Sequence, residues 1–189
     1  MKKIFSLVVA LLTLVSCSED FLNLTPQYYP NDATFFKTQE QFTQAVNGAY
    51  SALRGVSARQ GYLMGEMRSD NTHYNRYKAD RGLHILYREN IADFVVDDQN
   101  QWTNEMYYAC YTGISRANTI LNRIEGTTFP DDLKNKTIGE AKFIRAFMYF
   151  QLVQCYGDVP LHLEEVTGAD NAFLPRSSVN DIYTAIVDD

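Results

Sequence analysis

The stretch from Arg68 to Lys78 sets Asp70, Asn71, His73, Tyr74, Asn75, Arg76 and Tyr77 almost side by side. Phenol rings beside amides, a carboxylate and a guanidinium supply what a neutral glycan needs. Its C–H faces lie on aromatic rings, and its hydroxyls exchange hydrogen bonds with planar polar groups. Tyr74, Asn75 and Tyr77 are the expected contacts. Asp70 and Asn71 either touch the ligand or cap a turn after Arg68. The whole stretch also has a plainer reading, as a solvated loop whose rings pack locally. Trp102 is a reserve stacking platform if its ring is exposed; core packing on a helix face is its other use.

A second reactive group is Cys17. It closes Leu14-Val15-Ser16-Cys17, after the basic start Lys2-Lys3 and an apolar run from Ile4 to Val15. A basic start, a short apolar run and a small residue make residues 1–16 a secretory signal peptide. The run is too short for a permanent span, which takes about 20 residues. Its end has the form of a bacterial lipobox, in which the cysteine is acylated and the chain is cut before it. Several acyl chains on one residue anchor stably where a single chain is marginal. An ordinary signal peptide with an incidental cysteine is the alternative. Cys110 and Cys155 then remain, read as two buried thiols, with a disulfide as the other option outside the cytoplasm.

Other chemistry finds little support. His73, His84 and His162 have no metal-ligand spacing with one another or with cysteine, and no cofactor is implied. Gly-x-Ser-x-Gly, a phosphate loop, His-Glu-x-x-His and Cys-x-x-Cys are absent. The carboxylate pairs Asp97-Asp98 and Glu164-Glu165 read as solvated surface, so the chain is expected not to be an enzyme. Lys plus Arg total 17 against 23 Asp plus Glu, a formal charge of −6 with no basic run, which argues against a nucleic-acid partner.

The elements that position these residues read as helices, in a chain whose 46% hydrophobic content suffices for a core. Thr38 and Gln41 have capping-box spacing. Phe42, Ala45, Val46, Ala49, Tyr50 and Leu53 then form one helical stripe, with Gly55 as its expected end. Trp102, Met106, Ala109, Cys110, Gly113, Ala117, Ile120, Leu121 and Ile124 share the face of a second helix that ends at Gly126. A third starts after Pro130 with Asp131 and Asp132, runs through Ala141, Ile144, Phe147, Met148 and Leu152, and stops at Gly157. A fourth opens at Ser178. The second and third, joined by a short link, should form an antiparallel hairpin, with Ala109, Gly113 and Ala117 permitting close approach. Arg116, Asn118, Glu140 and Arg145 are expected to tie the packed helices together. Met64, Met67, Met106 and Met148 are expected core fillers. Residues 56–101 show no clear period and read as a long irregular insertion, with short structure around Leu83 to Tyr87. Loops of that length inside a domain are commonly functional.

These motifs together resemble the SusD/RagB-like outer-membrane lipoproteins of Bacteroidetes. The resemblance is carried by Cys17-Ser-Glu-Asp-Phe-Leu, the acidic residues after the cysteine being similar to a surface-export signal, by Phe42 to Arg54, and by Gly65-Glu-Met-Arg-Ser-Asp-Asn71. Ile114-Ser-Arg-Ala-Asn118, the run Gly139 to Leu161 with its Tyr156-Gly-Asp-Val-Pro160 exit, and Pro175 to Tyr183 complete it. It implies an all-α fold of tetratricopeptide-like helical hairpins with a long loop insertion. Residues 1–16 would be the signal peptide, 17–33 a tether from lipidated Cys17, and 34–189 the N-terminal helical domain. The resemblance further implies a cell-surface lipoprotein in the outer membrane. It would bind a polysaccharide or oligosaccharide, or another nutrient oligomer, and deliver it to a TonB-dependent SusC-like β-barrel transporter. A helical scaffold that binds a protein partner without a nutrient ligand is the alternative. Members of the family are usually much longer than 189 residues, so the chain is expected to correspond to their N-terminal part. The resemblance also favours a loop ahead of the Trp102 helix as the place of glycan contact.

Overall fold

Thr38 and Gln41 cap each other as their spacing predicts. The Thr38 hydroxyl accepts from Gln41 N at 3.3 Å, and Gln41 Oε1 accepts from Thr38 N at 3.1 Å. The computed structural model describes residues 35–74 and 82–189; Cys17, Asn75, Arg76 and Tyr77 lie outside them. Helix α1, Gln39–Gly55, buries Phe42, Val46, Ala49 and Ala52 on one face. Gly55 does not end the helical path, contrary to the sequence expectation. A glycine stops a helix by turning left-handed, whereas Gly55 keeps φ −60°. The chain winds on through a π turn, Val56–Gln60, into α2, Gly61–Met64, and a 3-10 turn, Glu66–Arg68. A Cβ at Gly55 would lie 3.1 Å from Ala109 Cβ, so this glycine provides close approach to the next long helix. Residues 83–92 form a further helix, α3, Leu83–Ala92. The expected irregular insertion is thus largely short helical pieces among its described residues.

Two long helices form the body. Asn100 caps α4, Gln101–Glu125, and Asp131 and Asp132 occupy the first turn of α5, Asp131–Tyr156, where carboxylates favour the helix dipole. They run antiparallel: Thr103 O accepts from the Tyr156 hydroxyl at 2.6 Å, Gly113 faces Met148, and Asn118 Oδ1 accepts from Arg145 at 2.8 Å. A Cβ on Gly113 would come within 2.7 Å of Met148 Cε. Gly157, at φ +69°, turns the chain out of α5, a conformation that suits a residue without Cβ. A minimal antiparallel ribbon follows. Strand β1, Val159–Pro160, pairs with β2, Arg176–Ser177, and the four-residue helix α6, Ala169–Ala172, lies between them. Helix α7, Val179–Asp188, starts on Ser178, whose hydroxyl accepts from Asp181 N at 3.2 Å.

The main core gathers Phe42, Met106, Ile114, Ile144, Met148, Leu152 and Ile182 from the four long elements. A second, smaller core of Leu63, Met67, Ile91, Ala92 and Trp102 joins the 56–101 insertion to the start of α4. Of the expected polar ties, those of Arg116, Asn118 and Arg145 are present. Arg116 donates to Gly48 O at 2.6 Å and to Ser51 Oγ at 3.0 Å. Asn118 Nδ2 donates to His162 O and Glu164 O, and Arg145 reaches Asn118, Leu163 O and Asp189. Cys110 and Cys155 are free thiols. Burial, with Cys155 nearby as the smaller cause, pushes the Cys110 thiol up to about 12.

Candidate functional site

The second core carries a cavity of about 550 Å³ on its outer side, lined by Ala58, Tyr62, Leu63, Tyr74, Arg88 and Trp102. Five separate pieces of chain converge there: the π turn, α2, the segment after the 3-10 turn, α3 and the first turn of α4. Asn100 holds two of them together. It is fully buried, its Oδ1 accepts from Trp102 N at 3.1 Å and Thr103 N at 3.4 Å, and its Nδ2 donates to Tyr87 O at 2.9 Å. One side chain therefore caps α4 and fixes it against α3. Trp102 adds a second clasp, its indole N–H donating to His84 O at 3.0 Å.

Trp102 is only 8% exposed, so the condition for its use as an open stacking platform is not met. It lines the cavity, with the Arg88 guanidinium carbon 5.0 Å from its ring centroid. Tyr62, at 49% exposed, is the ring at the mouth. Tyr74 lies between, and its phenol faces both Arg88 and Tyr62. Burial raises its pKa most; the Arg88 charge opposes that shift and Tyr62 adds to it. The Tyr74 hydroxyl thus stays protonated at neutral pH and can donate. Although Tyr74 and Arg88 are close enough to influence each other, neither Tyr74 Oη nor Arg88 Nε has a properly directed hydrogen bond among the described residues, and both atoms are buried. Leaving a buried polar atom unpaired costs about 1–3 kcal/mol. Tyr74 and Arg88 both line this cavity and interact with each other there, the Arg88 hydrogen bond favouring the ionised phenol as its charge does.

The sequence-derived candidates divide. Tyr74 and Trp102 meet in the cavity. Asp70 and Asn71 are exposed and do not line it. The turn beside them is tied instead by Ser69 Oγ, which donates to Glu66 O at 2.7 Å and accepts from Asn71 N at 3.3 Å, and by Thr72 Oγ1, which also donates to Glu66 O. His73 turns away, bonded to Tyr74 O and to Asp93 Oδ1 at 3.2 Å. Asn75 and Tyr77 fall outside the described residues. Sequence reasoning missed Tyr62 and Arg88. A signal for Arg88 existed: it sits at helical spacing from Ile85, Ile91 and Ala92, a charge inside an apolar stripe.

Two other cavities are differently furnished. One of about 520 Å³ lies beside Arg145 and Glu165. Its arginine is paired with Asp189, and Glu165 takes a bidentate pair from Arg123. Another, of about 460 Å³, sets Arg68 with Asp97 and Asp98 beside Tyr107 and Tyr156. Among the described residues, no group of His, Cys, Asp and Glu is arranged to hold a metal ion.

A sequence profile of a SusD-like family, described as starch-binding associating with outer membrane, matches residues 20–189. SusD-like protein P38 of Formosa agariphila is 30% identical over 186 residues, covering 98% of this chain and 35% of that protein. A solved SusD superfamily protein from Bacteroides vulgatus superposes with a TM-score of 0.67 at 26% identity, over 82% of this chain and 34% of that one. Surface glycan-binding protein A from Bacteroides uniformis superposes with a TM-score of 0.68 at 22% identity, over 80% of this chain and 33% of that one, a likeness of fold. The chain spans 33% to 37% of the length of the curated relatives it matches.

Proposed function

The chain belongs to the SusD-like family, and on that premise we propose that it binds a glycan in the cavity between Tyr62, Tyr74, Arg88 and Trp102. The observation that carries this reading is the aromatic-walled cavity itself, which sets the polar groups of Tyr74 and Arg88 beside the rings of Tyr62 and Trp102. A sugar supplies a hydroxyl for each and a C–H face for Tyr62. Binding of this kind needs no catalytic group. The family's association with the outer membrane and the glycan-binding name of the B. uniformis protein support the same reading. In the full proposal, residues 1–16 direct export, acylated Cys17 holds the protein at the outer-membrane surface, and the bound glycan passes to a TonB-dependent SusC-like β-barrel.

The test is affinity electrophoresis of the chain through gels containing starch, laminarin, xylan or pectin, repeated with Tyr62→Ala. One glycan should retard the native chain. Loss of the Tyr62 ring should weaken that binding by about 1–3 kcal/mol, by analogy with bases stacked on aromatic residues. Unchanged retardation of a folded Tyr62→Ala variant would remove this cavity from the site.

A further inference from the structure

The charge around Arg88 identifies the class of glycan. Other arginines close to cavities have carboxylates nearby: Arg145 binds Asp189, Arg123 binds Glu165, and Arg68, whose Nε also lacks a hydrogen bond among the described residues, shares its cavity with Asp97 and Asp98. Among the described residues, the cavity of Arg88 has no carboxylate in its lining. Just past the end of the same helix, Asp93 is bonded to His73, and Glu89 on the helix, though buried, is not a lining residue. The Arg88 guanidinium carbon lies over the Trp102 ring, 5.0 Å from its centroid. The N–H groups of Arg88 lie in the plane of the guanidinium, and among the described residues Nε makes no hydrogen bond within the chain. A guanidinium edge offers a fork of donors that fits the two oxygens of a carboxylate or sulfate better than a single hydroxyl. The neutral phenol of Tyr74 adds a donor without adding negative charge.

We infer that the cavity selects an acidic sugar: a residue bearing a carboxylate or sulfate oxyanion sits against the Arg88 edge and Tyr74 hydroxyl, with its ring on Tyr62. This departs from the neutral glycan that the sequence suggests, and it rests on the glycan-binding reading above. An overall acidic chain has no general attraction for a polyanion, so such binding would have to arise locally.

The experiment compares matched probes by calorimetric titration of the full chain: dextran sulfate against dextran, and polygalacturonate against its methyl-esterified form. The expected result is binding at least tenfold tighter to the acidic member of one pair, weakening as NaCl is raised from 50 to about 300 mM. Sulfate and carboxylate are told apart by which pair responds. Arg88→Gln should abolish the preference, and Arg54→Gln, on the exposed face of α1, should leave it. If Arg88→Gln does not fold, the preference of the native chain and the effect of Tyr74→Phe decide. Equal or better binding of the neutral members, with Tyr62→Ala still disruptive, overturns the acidic-sugar inference and leaves glycan binding standing. An acidic preference that survives in folded Arg88→Gln also overturns it. No binding to any probe here or to any glycan of the gel panel above overturns both.

Discussion

Arg145→Met should destabilise the fold more than any surface change. The guanidinium donates from Nε to Asp189 Oδ2 at 2.7 Å and from Nη2 to Asp189 Oδ1 at 2.5 Å, while Nη1 serves Asn118 Oδ1 at 2.8 Å and Leu163 O at 2.7 Å. The two side chains are 9% and 5% exposed. Methionine approximates the stem and removes every donor. Breaking one half of a buried ion pair costs about 3–5 kcal/mol, because the partner charge is left in a poor solvent. Lys142 Nζ lies 3.7 Å from the same carboxylate and offsets some of the loss, so about 3 kcal/mol is expected. For a unit of this size that lowers the melting temperature by roughly 6–12 °C. Urea unfolding with an unchanged slope is the assay. The diagnostic partner is Arg145→Met with Asp189→Leu, which removes the stranded charge and should recover at least half of the loss. A single-variant effect below about 1 kcal/mol, or a double variant no better than the single, would refute the account.

Gly113→Val should cost about 1–3 kcal/mol by forcing Met148 aside, and Met148→Ala in the same chain should relieve part of it; chemical denaturation measures both. His162 titrates below its ordinary value because burial disfavours the cation. Stability should therefore be full above about pH 6.5 and fall as pH drops from there to the folded-state pKa, and His162→Gln should flatten that slope in melts from pH 7.5 to 5. At pH 8 a maleimide should modify half-buried Cys155 before Cys110, whose thiol is fully buried and raised to about 12; peptide mass mapping showing Cys110 labelled first in the native state would contradict the packing. Cys17→Ala should abolish fatty-acid labelling and membrane retention in a lipoprotein-processing host, and continued labelling would end the lipobox reading.

The long helices were legible because each announced itself twice, by a stripe and by a boundary. Thr38 with Gln41, Asp131 with Asp132, Gly157 and Ser178 all act where their chemistry predicts. Gly55 misled because size and backbone freedom are written with the same letter. The 56–101 stretch resisted because its pieces are short: a four-residue helix completes one turn and shows no period, and α3 begins at Gly82 with no side-chain cap. The site was half visible for a related reason. Tyr74 and Trp102 stand out by type, whereas Tyr62 and Arg88 acquire meaning only when packing of the second core brings their segments together.

The segment after β1 crosses the two long helices with its backbone held by their side chains. The Tyr149 hydroxyl accepts from His162 N at 2.6 Å and donates to His162 O at 2.9 Å; Asn118 takes His162 O and Glu164 O; Arg145 takes Leu163 O. Backbone groups are common to all residues but proline, so this crossing is specified by its hosts and not by its own letters. Leu163 and Glu164 can be rewritten freely, as their exposed side chains carry none of the bonds to the helices, while proline at His162 would lose the N–H that Tyr149 receives. For an engineer, that makes residues 163–164 a graft site with a preset path: a foreign dipeptide placed there inherits its conformation from helices it never contacts in sequence.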